Sequence, residues 1–213
     1  MMKLYGYWRS SASFRVRLAL YLKKLPFDYQ SVHLIKDGGE QHTPEYKKLN
    51  PASLVPTFVD DDVTLNQSLA IIEYLDERYA QRPLLPSDPV DRAKARALAY
   101  DLACELQPIT NLRVLQYLTG TLNCSDEQRN DWIHHWVHTA FTAFEQRLTE
   151  TAGEYCYGDS VTLADICLLP QVYNAQRFKV PLDDYPTLTA VNDRLQQLQA
   201  VQQARPENQP DAQ

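Results

Sequence analysis

The sequence predicts two domains of different class, a mixed α/β domain over residues 1–82 and an all-α helical bundle over residues 83–213. Three observations carry that division. Short apolar runs alternate with helical segments only ahead of residue 82. Pro83, Pro86 and Pro89 then crowd residues 82–89, a stretch no helix can run through and the natural linker. Beyond it, Leu98, Leu102 and Leu106, and then Trp132, Trp136, Ala140, Phe144 and Leu148, recur at every fourth residue, as the apolar stripe of a bundle helix does.

Each element follows from its local chemistry. Residues 3–7 form a strand, 11–24 a helix, 27–34 a second strand, and 44–48 a short helix opened by Pro44. Thr57–Asp60 and Val63–Asn66 flank Asp61-Asp62, a turn pair between two hairpin strands. Residues 67–79 form a helix with Leu69, Ile72, Leu75 and Tyr79 on one stripe. Only 11–24 is ambiguous, since Phe14, Val16, Leu18, Leu20 and Leu22 alternate with the period of a strand. The N-capping serines ahead of it, Ala19 and its length favour helix. The order β-α-β, short helix, β-β-α describes a thioredoxin-like half.

In the second half, Pro108 interrupts the first long helix and frees the carbonyl four residues back. The resulting kink could aim Gln107 and Asn111 at the α/β domain, or simply wrap the bundle. Val161-Thr162-Leu163-Ala164-Asp165-Ile166 is a capping box with a hydrophobic staple, which gives Asp165 a structural task and removes it from the catalytic candidates.

With 213 residues there is ample material for buried cores. Lys and Arg number 21 against 27 Asp and Glu, a balance that argues against nucleic acid or anionic lipid as a partner. No apolar run reaches membrane-spanning length, and the N-terminus lacks the apolar core of a signal peptide, so a cytoplasmic location is expected. Cys104, Cys124, Cys156 and Cys167 are widely spaced, with no CxxC and no zinc-ligand pattern. Free thiols and no metal are the expectation.

Two segments carry chemistry. Asn50-Pro51-Ala52-Ser53-Leu54-Val55-Pro56 feeds a β-branched run, and a cis Val55–Pro56 bond there would turn the chain tightly and leave the Val55 N–H and C=O pointing outward. Gln67-Ser68 opens an apolar helix, whose free N–H groups and dipole favour a carboxylate. A backbone edge beside an anion-binding helix start suits a small peptide with a free α-carboxylate. The turn Arg9-Ser10-Ser11-Ala12-Ser13-Phe14-Arg15 joins the first strand to the first helix and, in a thioredoxin-like domain, faces the Pro56 loop. A dithiol enzyme would place cysteine there. Serines at a helix start act either as plain N-caps or as donors that stabilise a bound thiolate, lowering a thiol pKa from its usual value of about 8.5.

The Arg9–Leu20 segment, the Asn-Pro…Val-Pro loop and Gln67-Ser68-Leu69-Ala70-Ile71-Ile72-Glu73-Tyr74-Leu75 resemble the zeta class of glutathione transferases. So do Leu106-Gln107-Pro108-Ile109-Thr110-Asn111-Leu112, Asn174-Ala175-Gln176-Arg177-Phe178 and the closing Gln209-Pro210-Asp211. The resemblance implies the glutathione transferase fold, glutathione as a regenerated cofactor, a small dicarboxylate substrate, a homodimer, and cis–trans isomerisation of maleylacetoacetate or maleylpyruvate. It implies that Ser10 activates the glutathione sulfur, with Ser11 and Arg15 in the same turn. Gln41, Val55 and Pro56 would hold the tripeptide, and Gln67 with Ser68 its γ-glutamyl end. Gln107, Asn111 and Arg113 would form a second-domain wall; Arg177, with Arg9 and Arg113, would meet substrate carboxylates. The class usually reads Ser-Ser-Cys at this turn, whereas the third position here is Ala12. Two other functions suit the same scaffold: conjugation or dehalogenation of small α-halo acids, and non-catalytic glutathione binding.

Overall fold

The computed structural model describes residues 1–213. In chain order the elements are β1 (Lys3–Gly6), α1 (Ser11–Lys23), β2 (Asp28–Ser31), α2 (Pro44–Leu49), β3 (Thr57–Asp60), β4 (Val63–Asn66) and α3 (Ser68–Arg78). There follow α4 (Pro89–Tyr100), a π-helical turn (Asp101–Leu106), α5 (Gln107–Ile109), α6 (Leu112–Gly120), α7 (Asp126–Thr151), α8 (Leu163–Arg177), α9 (Pro186–Gln196) and α10 (Gln199–Ala204). Two compact units result, Met1–Pro83 together with Gln197–Gln213, and Leu84–Gln196. The tail therefore departs from the division at residue 83: α10, with Val201 and Ala204 fully buried, packs against α1 of the first unit.

In the first unit the sheet order is β2-β1-β3-β4. β1 runs parallel to β2 and antiparallel to β3, and β3 and β4 form the expected hairpin. Gly6 pairs with Ser31, Tyr5 with Thr57, and Thr57 with Asn66. The C-terminal ends of β1, β2 and β4 and the N-terminal end of β3 thus share one end of the sheet, so the segments joined to them all emerge there.

Helix α1 lies against both α3 and α10. It is buried from Ser13 to Leu20 without a gap, Arg15 and Arg17 included. A helix enclosed on all sides needs no polar face, which is why its sequence shows no clear helical period. At its C-terminal end the buried Lys23 ammonium donates to Asp76 Oδ1 (2.8 Å) and to the carbonyls of Gln81 (3.2 Å) and Arg82 (3.1 Å). All three ammonium protons are satisfied, as burial of that charge demands.

In the second unit α4 packs on α8, and α7 on α9. The buried stripe of α7 is Ile133, Val137, Phe141, Phe144 and Leu148. It lies one residue beyond the stripe expected through Trp132, Trp136 and Ala140, which are only half-buried. Large aromatic rings mark the border of a core as often as its centre, and Trp132 spends its indole N–H on the Ile109 carbonyl (2.9 Å). Pro108 follows directly on the π-helical turn, in the first turn of α5. The π turn ahead of it moves the Gln107 N–H onto the Leu102 carbonyl, five residues back, and so re-registers the ladder around the proline.

The capping box at α8 is present in both directions. Asp165 is fully buried and accepts from the N–H groups of Thr162 (2.7 Å) and Cys156 (2.8 Å) and from the Thr162 hydroxyl (3.0 Å). Burial pushes its carboxyl pKa up, and those donors oppose the shift. Thr162→Ala is expected to lower stability by about 1 kcal/mol, the usual cost of a lost N-cap. Asp165→Ala leaves buried N–H groups without an acceptor and should cost about 3 kcal/mol. Urea denaturation followed by circular dichroism checks both values and their order.

Candidate functional site

Three segments at that end of the sheet build the candidate site. The first is the turn from β1 into α1. The Ser10 N–H bonds the Tyr7 carbonyl (3.0 Å), closing a four-residue turn. Ser10 then caps α1, its Oγ accepting from the Ser13 N–H (3.2 Å). That bond uses a lone pair and leaves the hydroxyl proton for another partner. No acidic residue lies in the first turn of α1, so the positive end of the helix dipole is not neutralised there. Ser11 is half-buried as the first helical residue, and the guanidinium of Arg9 stacks 4.3 Å above the Trp8 ring.

The second segment is the loop into β3. Val55–Pro56 is cis, the condition set out from the sequence. The Leu54 carbonyl receives the Asn50 amide (2.7 Å) and lies 2.7 Å from the Tyr46 hydroxyl. Asn50 Oδ1 accepts from the Ala52 N–H (3.0 Å), so one buried side chain braces both limbs of the loop. Burial raises the Tyr46 pKa to about 12, keeping its hydroxyl a donor at neutral pH. Val55 stands outside the ladder, whose first pairs on β3 are made by Thr57.

The third segment is the start of α3. Gln67 is exposed and takes φ +72° at the N-cap, a left-handed conformation uncommon outside glycine. The next residue, Ser68, is buried, and its Oγ accepts from Arg15 Nε (3.0 Å). Arg15 is itself buried. Its guanidinium, expected within the Ser10 turn's chemistry, joins α1 to the start of α3 through this bond to Ser68. The first turn of α3, like that of α1, carries no acid.

Gln41 adds a fourth group from the segment after β2. Its amide donates to the Leu34 carbonyl (3.2 Å), while its Oε1 is buried without a partner. Gly39 makes room for it: at φ +95° its missing Cβ would fall 2.5 Å from the Gln41 side chain.

In the second unit, Gln107 is half-buried in α5 and Arg113 is exposed on α6. Asn111, expected at a binding wall, caps α6 by accepting from the N–H groups of Arg113 (3.1 Å) and Val114 (3.3 Å). Arg177 ends α8, exposed, with its guanidinium 4.6 Å over the Phe178 ring. Both border a cavity of about 200 Å³ that Arg129 also lines. Sequence reasoning had not singled out Arg129, nor Tyr46. Asn50 was signalled only through its Asn-Pro pair.

The chain matches the family models for the glutathione S-transferase N-terminal domain over residues 4–83 and C-terminal domain over residues 114–204. It is 52% identical to a probable maleylacetoacetate isomerase of Vibrio cholerae, over 98% of this chain and 97% of that protein. Its fold is similar, with a TM-score of 0.95 and 42% identity, to the holo structure of a maleyl pyruvate isomerase, a bacterial zeta-class glutathione S-transferase, covering 99% of this chain and 100% of the other. It is similar as well to maleylacetoacetate isomerase from Anaeromyxobacter dehalogenans with dicarboxyethyl glutathione and citrate bound in the active site. There the TM-score is 0.88 at 37% identity, over 100% of this chain and 98% of that one. On these matches the chain belongs to the glutathione S-transferase family, in its zeta class.

Proposed function

We propose that this protein catalyses the glutathione-dependent cis–trans isomerisation of maleylacetoacetate, with maleylpyruvate, which presents the same reacting groups, as the other substrate of that class. The observation that carries the reading is the Ser10 hydroxyl, set on an acid-free helix start at the same sheet end as the Val55–Pro56 bond and Gln67-Ser68. The residues present fit glutathione. Val55, free of the ladder, offers an N–H and a C=O to an extended peptide in the manner of an added strand. The unpartnered Gln41 Oε1 offers a buried acceptor. The start of α3 offers its N–H groups to the γ-glutamyl carboxylate, with Gln67 beside them and Ser68 held in place by Arg15.

When bound, glutathione supplies the sulfur nucleophile whose reversible addition turns the alkene into a single bond that can rotate. The chain's own tasks are then three. Ser10, already accepting from Ser13, donates its proton toward the sulfur and, with the α1 dipole, stabilises the thiolate. Arg177, Arg113 and Arg9 meet the carboxylates of a dianionic substrate. The same cations stabilise the negative charge that addition places on the substrate oxygen. The dicarboxyethyl glutathione in the A. dehalogenans relative supports this reading, because such a thioether is what a thiol gives on adding to a four-carbon unsaturated dicarboxylate. A cytoplasmic homodimer belongs to the same proposal, supported by the family resemblance, and sedimentation of the purified protein tests the dimer.

Ser10→Ala should cut turnover by about ten- to a thousandfold, as loss of one preorganised donor does, with a much smaller change in glutathione affinity. Full turnover at neutral pH would move the assignment to Ser11.

Because the sulfur is not the protein's own, catalysis should survive alkylation of protein thiols once the reagent is removed. All four cysteines lie in Leu84–Gln196, outside the unit that carries Ser10. Cys156 is buried, with its thiol pKa pushed up by that burial and by Asp165. Rapid inactivation against which glutathione protects would contradict this.

Arg177→Ala should weaken apparent substrate binding by about ten- to a hundredfold, the equivalent of roughly 1.5–3 kcal/mol for a hydrogen bond to a charged group. Lysine keeps the charge but loses the planar fork, so Arg177→Lys should recover only part of it. Conjugation of a neutral chloroarene by the same thiolate should be nearly unaffected. Equal damage to both reactions would show that Arg177 serves the fold or the thiolate instead of the carboxylate.

A further inference from the structure

Trp8 lies in the turn that delivers Ser10, and both of its peptide units are gripped by side chains from elsewhere in the first unit. Its N–H donates to Asp211 Oδ2 (3.0 Å), 203 residues along the chain. Its carbonyl accepts from the Arg17 guanidinium (2.9 Å). A second Arg17 nitrogen reaches the Tyr7 carbonyl (3.4 Å), and Nε reaches the Ala204 carbonyl at the end of α10 (3.1 Å). Asp211 also takes the hydroxyls of Ser31 (3.2 Å) and Tyr29 (3.5 Å). The tail that carries Asp211 is itself tied down, since Gln209 donates its amide to the carbonyls of Gln203 (2.9 Å) and Arg205 (2.8 Å).

The peptide joining Tyr7 to Trp8 is thus bonded at both its C=O and its N–H, and the next peptide at its C=O. The Tyr7 carbonyl is also the acceptor that closes the turn onto Ser10. A brace meant only to dock α10 would need the Ala204 contact alone. Arg17, fully buried, directs one N–H of each terminal nitrogen to the turn.

We propose that Asp211 and Arg17 are positioning residues that clasp Trp8 and thereby fix the Ser10 hydroxyl for the thiol, so that the C-terminal tail completes the activating turn. The proposal rests on the reading that Ser10 activates bound glutathione. It is tested on the full-length protein with Asp211→Ala, Ser10→Ala and the double variant. Asp211→Ala should lower kcat about tenfold, with KM for glutathione within about twofold of the parent, as expected for one lost bond to a charged group. The pKa of the bound thiol, read from the ultraviolet absorbance of the thiolate, should rise. Hydrogen exchange at the Trp8 amide, followed by NMR without glutathione, should accelerate. Asp211→Asn, which keeps a neutral acceptor, should recover part of each loss.

In the Ser10→Ala background the Asp211 substitution should cost nothing further, because residues acting through one another are not additive. Additive losses, or slower turnover with an unchanged thiol titration and unchanged Trp8 exchange, would overturn the clasp. If Asp211→Ala does not fold, Asp211→Asn decides on the same readouts, and no change in either defeats the proposal. A Ser10→Ala protein whose thiol titrates as the parent's does would instead overturn the underlying reading of Ser10, a distinguishable result.

Discussion

The binding edge of the first unit depends on Thr57. This buried residue pairs with Tyr5 on one side and Asn66 on the other, and its hydroxyl donates to Asn66 Oδ1 (2.7 Å) while lying 3.0 Å from the Tyr46 hydroxyl. One register therefore sets where β1 hands over to the Ser10 turn, where the Pro56 loop enters, and where β4 hands over to Gln67 and Ser68. A slip of one residue would turn every side chain of β3 to the opposite face and separate these three segments. Hydroxyl and amide groups that specify the pairing are accordingly buried, where an unmade bond is costly and alternative registers are disfavoured.

Electrostatics sets the starts of α1 and α3 apart from those of α4, α7 and α8. The latter carry Asp91, Asp126 with Glu127, and Asp165 in their first turns, acids that offset the positive end of the dipole. α1 and α3 have none; nor do α6, α9 and α10, although Glu145 accepts from the Thr187 and Leu188 N–H groups at the start of α9. An uncompensated helix start is a place where an anion gains, and α1 and α3 are the two that share one end of the sheet, where the proposed reading sets a thiolate and a carboxylate. In the sequence the first turns read Ser-Ala-Ser-Phe in α1 and Ser-Leu-Ala-Ile in α3, against Val-Asp in α4 and Asp-Glu in α7.

Local chemistry was visible in the sequence where it acts over a few residues. The hairpin has the bounds read from its Asp61-Asp62 turn, and the α8 capping box has both of its bonds, because turn and cap preferences are settled within four residues. What escaped was set by packing or by a second use of the same residue. The apolar series through Trp132, Trp136 and Ala140 lies one residue short of the buried stripe, which it joins at Phe144 and Leu148, because large rings also sit at a core's border. Pro108 signalled a disturbed ladder but not its form, a π turn over the six residues before Gln107. Asn111 matched a binding motif and also caps α6 through its Oδ1, a second role that Asn fills well. The tail was expected in the helical domain and belongs to the first unit instead, since the Trp8–Asp211 bond that anchors it spans nearly the whole chain.

Arg15 and Arg17 show how one helix serves two sites. Residues two apart on an α-helix differ by about 200° in direction, so these guanidiniums leave α1 on nearly opposite sides. One reaches Ser68 at the start of α3, the other the Trp8 and Ala204 carbonyls, in keeping with α1 lying against both α3 and α10. Val16 between them is fully buried, and so are the apolar residues that follow. The strand-like alternation of residues 14–22 is therefore the mark of a helix enclosed on all sides that must project two cations in opposite directions. Burying two such cations is costly unless each is bonded, and a plain apolar core would not require them. Their positions follow from what they hold, the start of α3 on one side and the Trp8 turn that leads to Ser10 on the other.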